Sequence, residues 1–407
     1  MYDLLVIGGG AAGFFGAISA ADHADRKLKI AILEQSKRVL QKVRISGGGR
    51  CNVTHAQFDP KELVKAYPRG KKELLGPFTK FAPGDTMAWF EERGVPLKIE
   101  ADNRVFPESD SSQSIIDTLV SGAKKHQIEI RTLHKVTNIH ANTDSSFTVQ
   151  FQKENSLSAK HLLVATGSGP KGYAWMERLS IKLIDRVPSL FSFNVLDSKL
   201  HELQGLSVPL AHVQLENGKS TTGSLLITHW GFSGPAVLRL SAEAAIELHQ
   251  CDYKASFSVS WLNTTLTETT SILLHVKKDA GKKTLRHSGE VDIPQRLWLY
   301  LIKRAGLDVD RKWASITKIE LTKLSSVLSA DKYELNGQTR FKEEFVTAGG
   351  VDLSMIDFRS FQVVSRPGLY IAGELLNIDG ITGGFNFQAA WTGGFLAGRA
   401  IARQLNA

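Results

Sequence analysis

The chain has 407 residues, 42% hydrophobic and 22% charged, with 50 Lys and Arg against 41 Asp and Glu, a formal charge of +9. At roughly 150 residues per domain, this length supports two or three domains and a core that needs no covalent staples. The composition excludes a disordered, collagen-like or disulfide-rich secreted chain. Cys51 and Cys251 offer neither a disulfide framework nor metal-ligand spacing, so no metal site is expected and a reduced, cytoplasmic setting is the simplest. The positive balance suits anionic partners such as phosphates and nucleotides.

Residues 3–7 (DLLVI) predict a buried strand. A glycine turn leads into a helix over 11–24, and 29–34 (KIAILE) predicts the next strand, completing a βαβ unit. Gly8-Gly9-Gly10-Ala11-Ala12-Gly13 fits G-x-G-x-x-G at the strand–helix junction. In that pattern Gly8 makes the tight turn, Gly10 lets the backbone approach a pyrophosphate, and Gly13 lets helix and strand pack closely. The helix N-terminus, with Ala11 and Ala12 in its first turn, offers N–H groups to the phosphates. Glu34, followed by Gln35, ends the second strand, where an acid accepts hydrogen bonds from a ribose 2′-hydroxyl. An acid here disfavours a 2′-phosphate, so the motif points to FAD or NAD rather than NADP.

Residues 35–54 form a basic, glycine-rich loop. Within it Ser46-Gly47-Gly48-Gly49-Arg50-Cys51-Asn52 allows a backbone nest for an anion. Lys42, Arg44 and Arg50 add positive charge against a pyrophosphate or an anionic flavin ring. Cys51 reads as packing beside a cofactor, or as a redox partner. Residues 60–95 look mainly helical, interrupted by Pro68, Pro77 and Pro83. An amphipathic helix over 111–126 follows, then strands over 128–132, 136–139, 147–151 and 161–165. Ala165-Thr166-Gly167 ends the last of these, with its turn against the first nucleotide. Gly167-Ser168-Gly169-Pro170-Lys171-Gly172 repeats the glycine pattern, but Pro170 and the short segment before Asp185 argue against a separate nicotinamide site. Tyr173 and Trp175 follow this turn and are candidates to reach a flavin ring.

From 188 to 340 the texture changes to short β-like runs at 192–195, 211–215, 225–228 and 255–261, then a basic helical stretch whose clearest helix is 296–305. After 345 the glycine-rich style returns. A strand over 369–372 runs into Gly373 and Glu374, an acid placed for a ribityl hydroxyl. Gly383, Gly384, Phe385 and Asn386 open a closing helix whose N-terminus is expected at the flavin pyrimidine edge. Its dipole stabilises negative charge there by ~0.3–2 kcal/mol.

With DLLVIGGGAAG, ISGGGRCNVTH, LLVATG, THWGFSGPAVL, GGVDLS and YIAGELLNIDGITGGFNFQAAWTGG in one chain, the sequence resembles the HI0933-like, or YhiN-type, NAD(P)/FAD-dependent oxidoreductases along nearly its whole length. The resemblance implies an α/β fold: a Rossmann-like FAD-binding domain of the two-dinucleotide-binding type, interrupted by a β-barrel-like region and a small helical subdomain. The boundaries are 1–188 with 341–407 for the FAD domain and 189–340 for the inserted substrate domain. It implies tightly bound FAD, with the pyrophosphate at Gly8–Gly13, the ribose at Glu34 and the adenine on the backbone of Val136. It also puts Gly373 and Glu374 at the ribityl chain and Gly383 to Asn386 at the isoalloxazine. Trp230 stands where the family pattern suggests a smaller or variable residue. Activities suggested in the family include reduction of conjugated enones and oxidation of small amino ketones.

His229, in THWGFSGP, is the first candidate for moving a proton beside the flavin; Trp230 and Phe232 line a substrate slot or pack a core. There is no nucleophile elbow, zincin pair or Walker lysine. The leading expectation is an FAD-dependent oxidoreductase of a small organic substrate, with NADH or NADPH as transient reductant or oxygen as acceptor. The alternatives are an RNA-modifying flavoprotein, motivated by the +9 charge and the basic insertion, and a non-enzymatic flavin redox sensor. No apolar run approaches the ~18 residues of a membrane helix, and the N-terminus lacks a basic leader.

Overall fold

Apart from half-buried Asp3, every residue of Tyr2–Ile7 (β1) and Ile30–Leu33 (β2) is buried, as in strands covered on both faces. In the computed structural model, which describes residues 1–152, 155–339 and 346–407, they lie at the centre of the first of two units. That unit comprises 1–187 and 346–407; the second comprises 188–345. The boundary expected at 340/341 lies outside the described residues.

In the first unit β1 leads through the glycine turn into α1 (Ala11–Asp22), and β2 follows. The loop expected over 35–54 instead contains a short helix, α2 (Gln41–Ile45), which buries Val43. Further along come α3 (Ser112–Lys125), β3 (Glu129–Arg131), β4 (Val136–Ala141), β5 (Phe147–Phe151), β6 (Ser156–Val164) and α4 (Pro170–Arg178). After the second unit come β7 (Leu369–Ile371) and α5 (Phe385–Asn406). Five strands run parallel in the order β7-β6-β1-β2-β3. The start of β6 pairs antiparallel with β5, and β5 with β4, so one long strand joins the parallel sheet to a three-stranded excursion.

Helix α5 packs along α1 through glycines. A Cβ on Gly394 would collide with Ala12 O, and one on Gly398 with Gly16 O. A second, three-stranded sheet (Thr54–His55, Arg104–Pro107, Leu97–Ile99) was not expected from the sequence. The third glycine pattern is followed by α4, but the next strand, Leu183–Ser189, pairs in a separate two-stranded sheet with Val346–Val351. It therefore does not return to form a second βαβ unit.

The second unit is a seven-stranded sheet carrying helices Pro235–Glu243, Leu266–Asp279, Gln295–Arg304 and Lys318–Ala330. Its two edge strands, Asp331–Asn336 and Gln338–Thr339, are one stretch of chain joined by Gly337. The Gly337 N–H donates to Tyr253 O while its carbonyl accepts from Asn194 N–H, so the sheet closes on itself like a barrel. A buried cluster holds this unit's elements together: Asp331 accepts from Arg304 Nε (2.6 Å), Tyr333 OH (2.6 Å) and Trp261 Nε1 (3.2 Å). The insertion is not the basic part of the chain. Residues 188–345 hold 19 Lys and Arg against 17 Asp and Glu, while 1–187 with 346–407 hold 31 against 24.

Candidate functional site

The C-terminal ends of β1, β2, β6 and β7 converge on one edge of the parallel sheet, where open α/β sheets bind ligands. Gly8 has φ +113, and a Cβ there would collide with Ala165 O; the Ala165 N–H in turn donates to Ile7 O at 2.8 Å. Gly13 packs with no room for a Cβ against Gly8 O, whereas a Cβ on Gly10 would meet nothing within 4 Å. Gly10 precedes α1 without any side-chain cap, and no acid stands in the first turn. The N–H groups at Ala11, Ala12 and Gly13 thus have no intrahelical acceptor, a donor set that fits a pyrophosphate.

Glu34 is fixed beside this turn. Its Oε2 accepts from Gly9 N–H at 3.0 Å and its Oε1 from Ser36 N–H at 2.7 Å. Gln35 is exposed next to it. Val136 is buried at the start of β4, and its neighbour His134 donates its backbone N–H to Glu34 O at 2.9 Å. On the other side a Cβ on Gly373 would lie 3.3 Å from Ala12 Cβ, and one on Gly167 3.5 Å from Glu374 Oε2. Thr166, just before Gly167, leaves no space for a Cβ on Gly172. Lys42 forms an ion pair with Glu374. The first glycine motif, Glu34, the turn after β6 and the turn after β7 therefore form one continuous cradle.

A second group lies at the N-terminus of α5. Gly384 has φ +94 and abuts Thr54 and Asn52. With its amide oriented to satisfy both neighbours, Asn52 donates to Thr54 O and accepts from Gly384 N–H, each at 3.0 Å. Gly383 borders His55, whose ring stacks on Phe385 at 4.5 Å between centroids. Tyr67 OH donates to Phe385 O at 2.7 Å, and Asn386 closes its own loop through two hydrogen bonds with Gly380. Asp379, fully buried, pairs with Arg69 through two hydrogen bonds. Below the helix start, Gln388 accepts from Thr54 (2.6 Å) and Thr86 (3.0 Å). As at α1, no side chain caps α5 and no acid stands in its first turn.

Gly48 and Gly49 face open space, while Gly47 packs on Phe106 and Asn52. Ser46 caps the end of α2 through Val43 O.

Several expectations need correction. Arg50 turns away from the cradle to pair with Glu100 and Asp110, over the Phe106 ring. Arg44 bonds to Gln113 at 2.8 Å. Of the three cations expected against a phosphate, only Lys42 reaches the cradle. Cys51 is fully buried, and burial pushes its thiol up to about 12, which makes it packing rather than a redox partner. Trp175 is buried with its indole N–H on Thr137 O, so it is held by β4; Tyr173 donates to Glu374 O at 3.0 Å and does border the cradle. Phe232 is a core residue of the second unit. His229 sits exposed in that unit, at the turn after strand Ser220–Thr228, with its ring against Trp230.

Sequence reasoning did not single out His55, Arg69, Asp379 or Gln388. His55 ends the SGGGRCNVTH segment and Asp379 lies in LNIDGITGG, so each had a local signal. Arg69 had none, being 310 residues from its partner. Among the described residues no three His, Cys, Asp or Glu side chains are placed to hold a metal, and no helix is long and apolar enough to cross a membrane.

The chain matches the family model described as HI0933-like protein Rossmann domain over residues 2–400. It is 28% identical over 403 residues to a ribosomal RNA dihydrouridine synthase of Escherichia coli strain K12, covering 96% of each chain. It is 25% identical over 417 residues to a 3-dehydro-bile acid delta(4,6)-reductase of Clostridium scindens, covering 98% of each. Among solved structures it shares its fold with a 3-ketosteroid-delta4-(5alpha)-dehydrogenase of Rhodococcus jostii RHA1 (TM-score 0.52, 15% identity, 98% of this chain and 96% of that one). The family match, the fold and the uncapped cradle agree: the chain belongs to the HI0933-like family of Rossmann-type, FAD-dependent oxidoreductases.

Proposed function

We propose that this protein reduces uridine in ribosomal RNA to dihydrouridine, using FAD and either NADPH or NADH. The observation that carries this reading is the end-to-end match to the Escherichia coli enzyme, which spans the FAD-type cradle and the second unit alike. The charge supports it: the excess of cations lies in the unit that carries the cradle. The Clostridium relative fits the same chemistry on a different molecule, because a uracil and a steroid enone both present a C=C bond conjugated to a carbonyl.

In this proposal Gly8, Gly10, Ala11, Ala12 and Gly13 hold the FAD pyrophosphate, Glu34 the ribose, the backbone at Val136 the adenine, and Glu374 the ribityl chain. The turn Gly383–Asn386 and the nest at Gly47–Gly49 enclose the flavin ring. Bound FAD, once reduced by the nicotinamide, supplies a hydride. That hydride would go to uracil C6 and a proton to C5, leaving dihydrouridine and oxidised flavin, the nicotinamide having been oxidised when it reduced the flavin. This chain must supply that proton, and His229 and His55 are its two candidates. His55 is the one that borders Gly383 and stacks on Phe385.

The test is a nucleoside digest of ribosomal RNA from the source organism with the gene deleted. A missing dihydrouridine, restored by the wild-type gene, supports the reading. An unchanged digest contradicts it and turns attention to enone-bearing small molecules. In the restored strain, His55→Gln or His229→Gln that abolishes the modification while FAD stays bound identifies the proton donor.

A further inference from the structure

Beyond Gly167 and the packing of Gly172 on Thr166, the third glycine pattern, Gly167–Gly172, plays no part in the cradle. It opens α4, a nine-residue helix that starts without a side-chain cap and without an acid in its first turn. Lys171 stands in that turn. Burial, followed by the like charge of Lys135 at the head of β4, lowers the Lys171 ammonium from its ordinary value. Among the described residues neither lysine forms an ion pair, whereas Arg131 nearby is paired with Glu129. Two adjacent ammonium groups beside an uncapped helix start are a local excess of positive charge.

Lys135 also lines a groove of about 390 Å³ with Arg131, His134, Phe151, Gln152 and Asn155. Phe151 is half-buried in its wall, edge-on to the His134 ring at 5.5 Å. The groove is firm on one side because Leu133 and His134 donate their backbone N–H groups to Ser36 and Glu34. Cations that track a phosphate chain, beside an aromatic face and exposed amides, are what nucleic-acid strands bind.

Resting on the RNA reading above, we propose that this groove, extended by Lys171 at the start of α4, is a docking site for the phosphate backbone of the RNA substrate, with an unpaired base against Phe151. It shares the 131–136 segment with the adenosine end of the proposed cofactor cradle. Docked RNA and bound FAD would therefore both act on this loop.

The test compares three FAD-loaded proteins: wild type, K135A/K171A, and the control K124A/K125A, which removes two exposed lysines of α3. Each is titrated with transcripts of the large ribosomal RNAs over a range of salt, and FAD content and the KM for NADPH are read alongside. The groove predicts that K135A/K171A keeps its FAD and its KM for NADPH. It also predicts that the slope of log affinity against log salt falls by about 2, one for each lost phosphate contact, while the control keeps the wild-type slope. An unchanged slope in K135A/K171A, or an equal fall in the control, overturns the groove but leaves the RNA reading intact. Loss of FAD, or a raised KM for NADPH without loss of RNA affinity, also overturns it, by assigning the lysines to a dinucleotide. Wild-type protein that neither binds nor modifies the transcripts overturns the groove and the RNA reading together.

Discussion

Gly9 donates its backbone N–H to Glu34 Oε2 at 3.0 Å, which ties the acid at the end of β2 to the turn at the end of β1. Ser36 holds the other carboxylate oxygen, so the acid cannot swing away. The spacing between the ribose acceptor and the helix start is therefore set by the protein before any cofactor arrives. Preorganisation of this kind lowers the ordering cost of binding.

This geometry separates two glycines that look alike in sequence. Gly13 has no room for a Cβ, whereas Gly10 has nothing within 4 Å. Gly13→Ala is expected to destabilise the apoprotein by about 1–3 kcal/mol. Gly10→Ala is expected to leave apoprotein melting unchanged and to weaken FAD at least about tenfold, or ~1.4 kcal/mol. Thermal melting of the two apoproteins and FAD titration of each check this. Equal FAD affinity in Gly10→Ala and wild type would move the pyrophosphate elsewhere.

Cys51 and Cys251 should differ sharply as nucleophiles. Burial holds the Cys51 thiol protonated, at about 12, while Cys251 is exposed. Brief iodoacetamide treatment of the native protein at pH 8 should label Cys251 and spare Cys51, as read by peptide mass spectrometry. Labelling of Cys51 at a comparable rate would reopen a redox role for it.

His161 in β6 should make the first unit acid-sensitive. Burial first, then Lys160, lowers it from 6.5 to about 4 in the folded state. Between those values the unfolded chain binds a proton that the folded one does not, so stability rises with pH across this window and falls on acidification. The loss from pH 6.5 to 4 is at most about 3 kcal/mol. His161→Gln should flatten the pH dependence of the urea midpoint between pH 7 and 5. An identical slope in the variant would show that other groups set it.

The Arg304–Asp331 pair should behave as a buried charge with a necessary partner. Burial raises the Asp331 carboxyl, and Arg304 is the largest influence opposing that rise. Arg304→Met is expected to cost about 3 kcal/mol, the lower end for such pairs because the Arg304 side chain is 28% exposed. With the folded carboxyl raised further, the folded state binds the extra proton, so this variant should gain stability as pH falls and lose it as pH rises. Adding Asp331→Asn should recover much of the loss. Denaturant unfolding of the single and double variants measures the coupling, and additive losses would refute it.

The fold class was legible because its signals are local. Buried β1, the glycine turn and Glu34 lie within one short stretch, and their geometry follows from chain order. Barrel closure was not legible in the same way, since it depends on Gly337 reaching Tyr253 and Asn194 at once. The site was legible where it is made of backbone and illegible where it is made of distant side chains. Gly383 and Gly384 announce a turn, but nothing near Asp379 names Arg69 as its partner. Charge misled in two ways. Arg44 and Arg50 looked like phosphate ligands until nearby Gln113, Glu100 and Asp110 claimed them, and the insertion looked basic from short lysine pairs although its acids nearly balance them.

The most direct test of the account is an anaerobic reoxidation. The FAD-loaded protein is reduced with NADPH, freed of excess nucleotide, and mixed either with unmodified ribosomal RNA transcripts or with a 3-oxo-Δ4 steroid. With an RNA reductase the oxidised flavin band returns on adding RNA, and the digested RNA contains dihydrouridine. A band that stays bleached with RNA and returns with the steroid would contradict it.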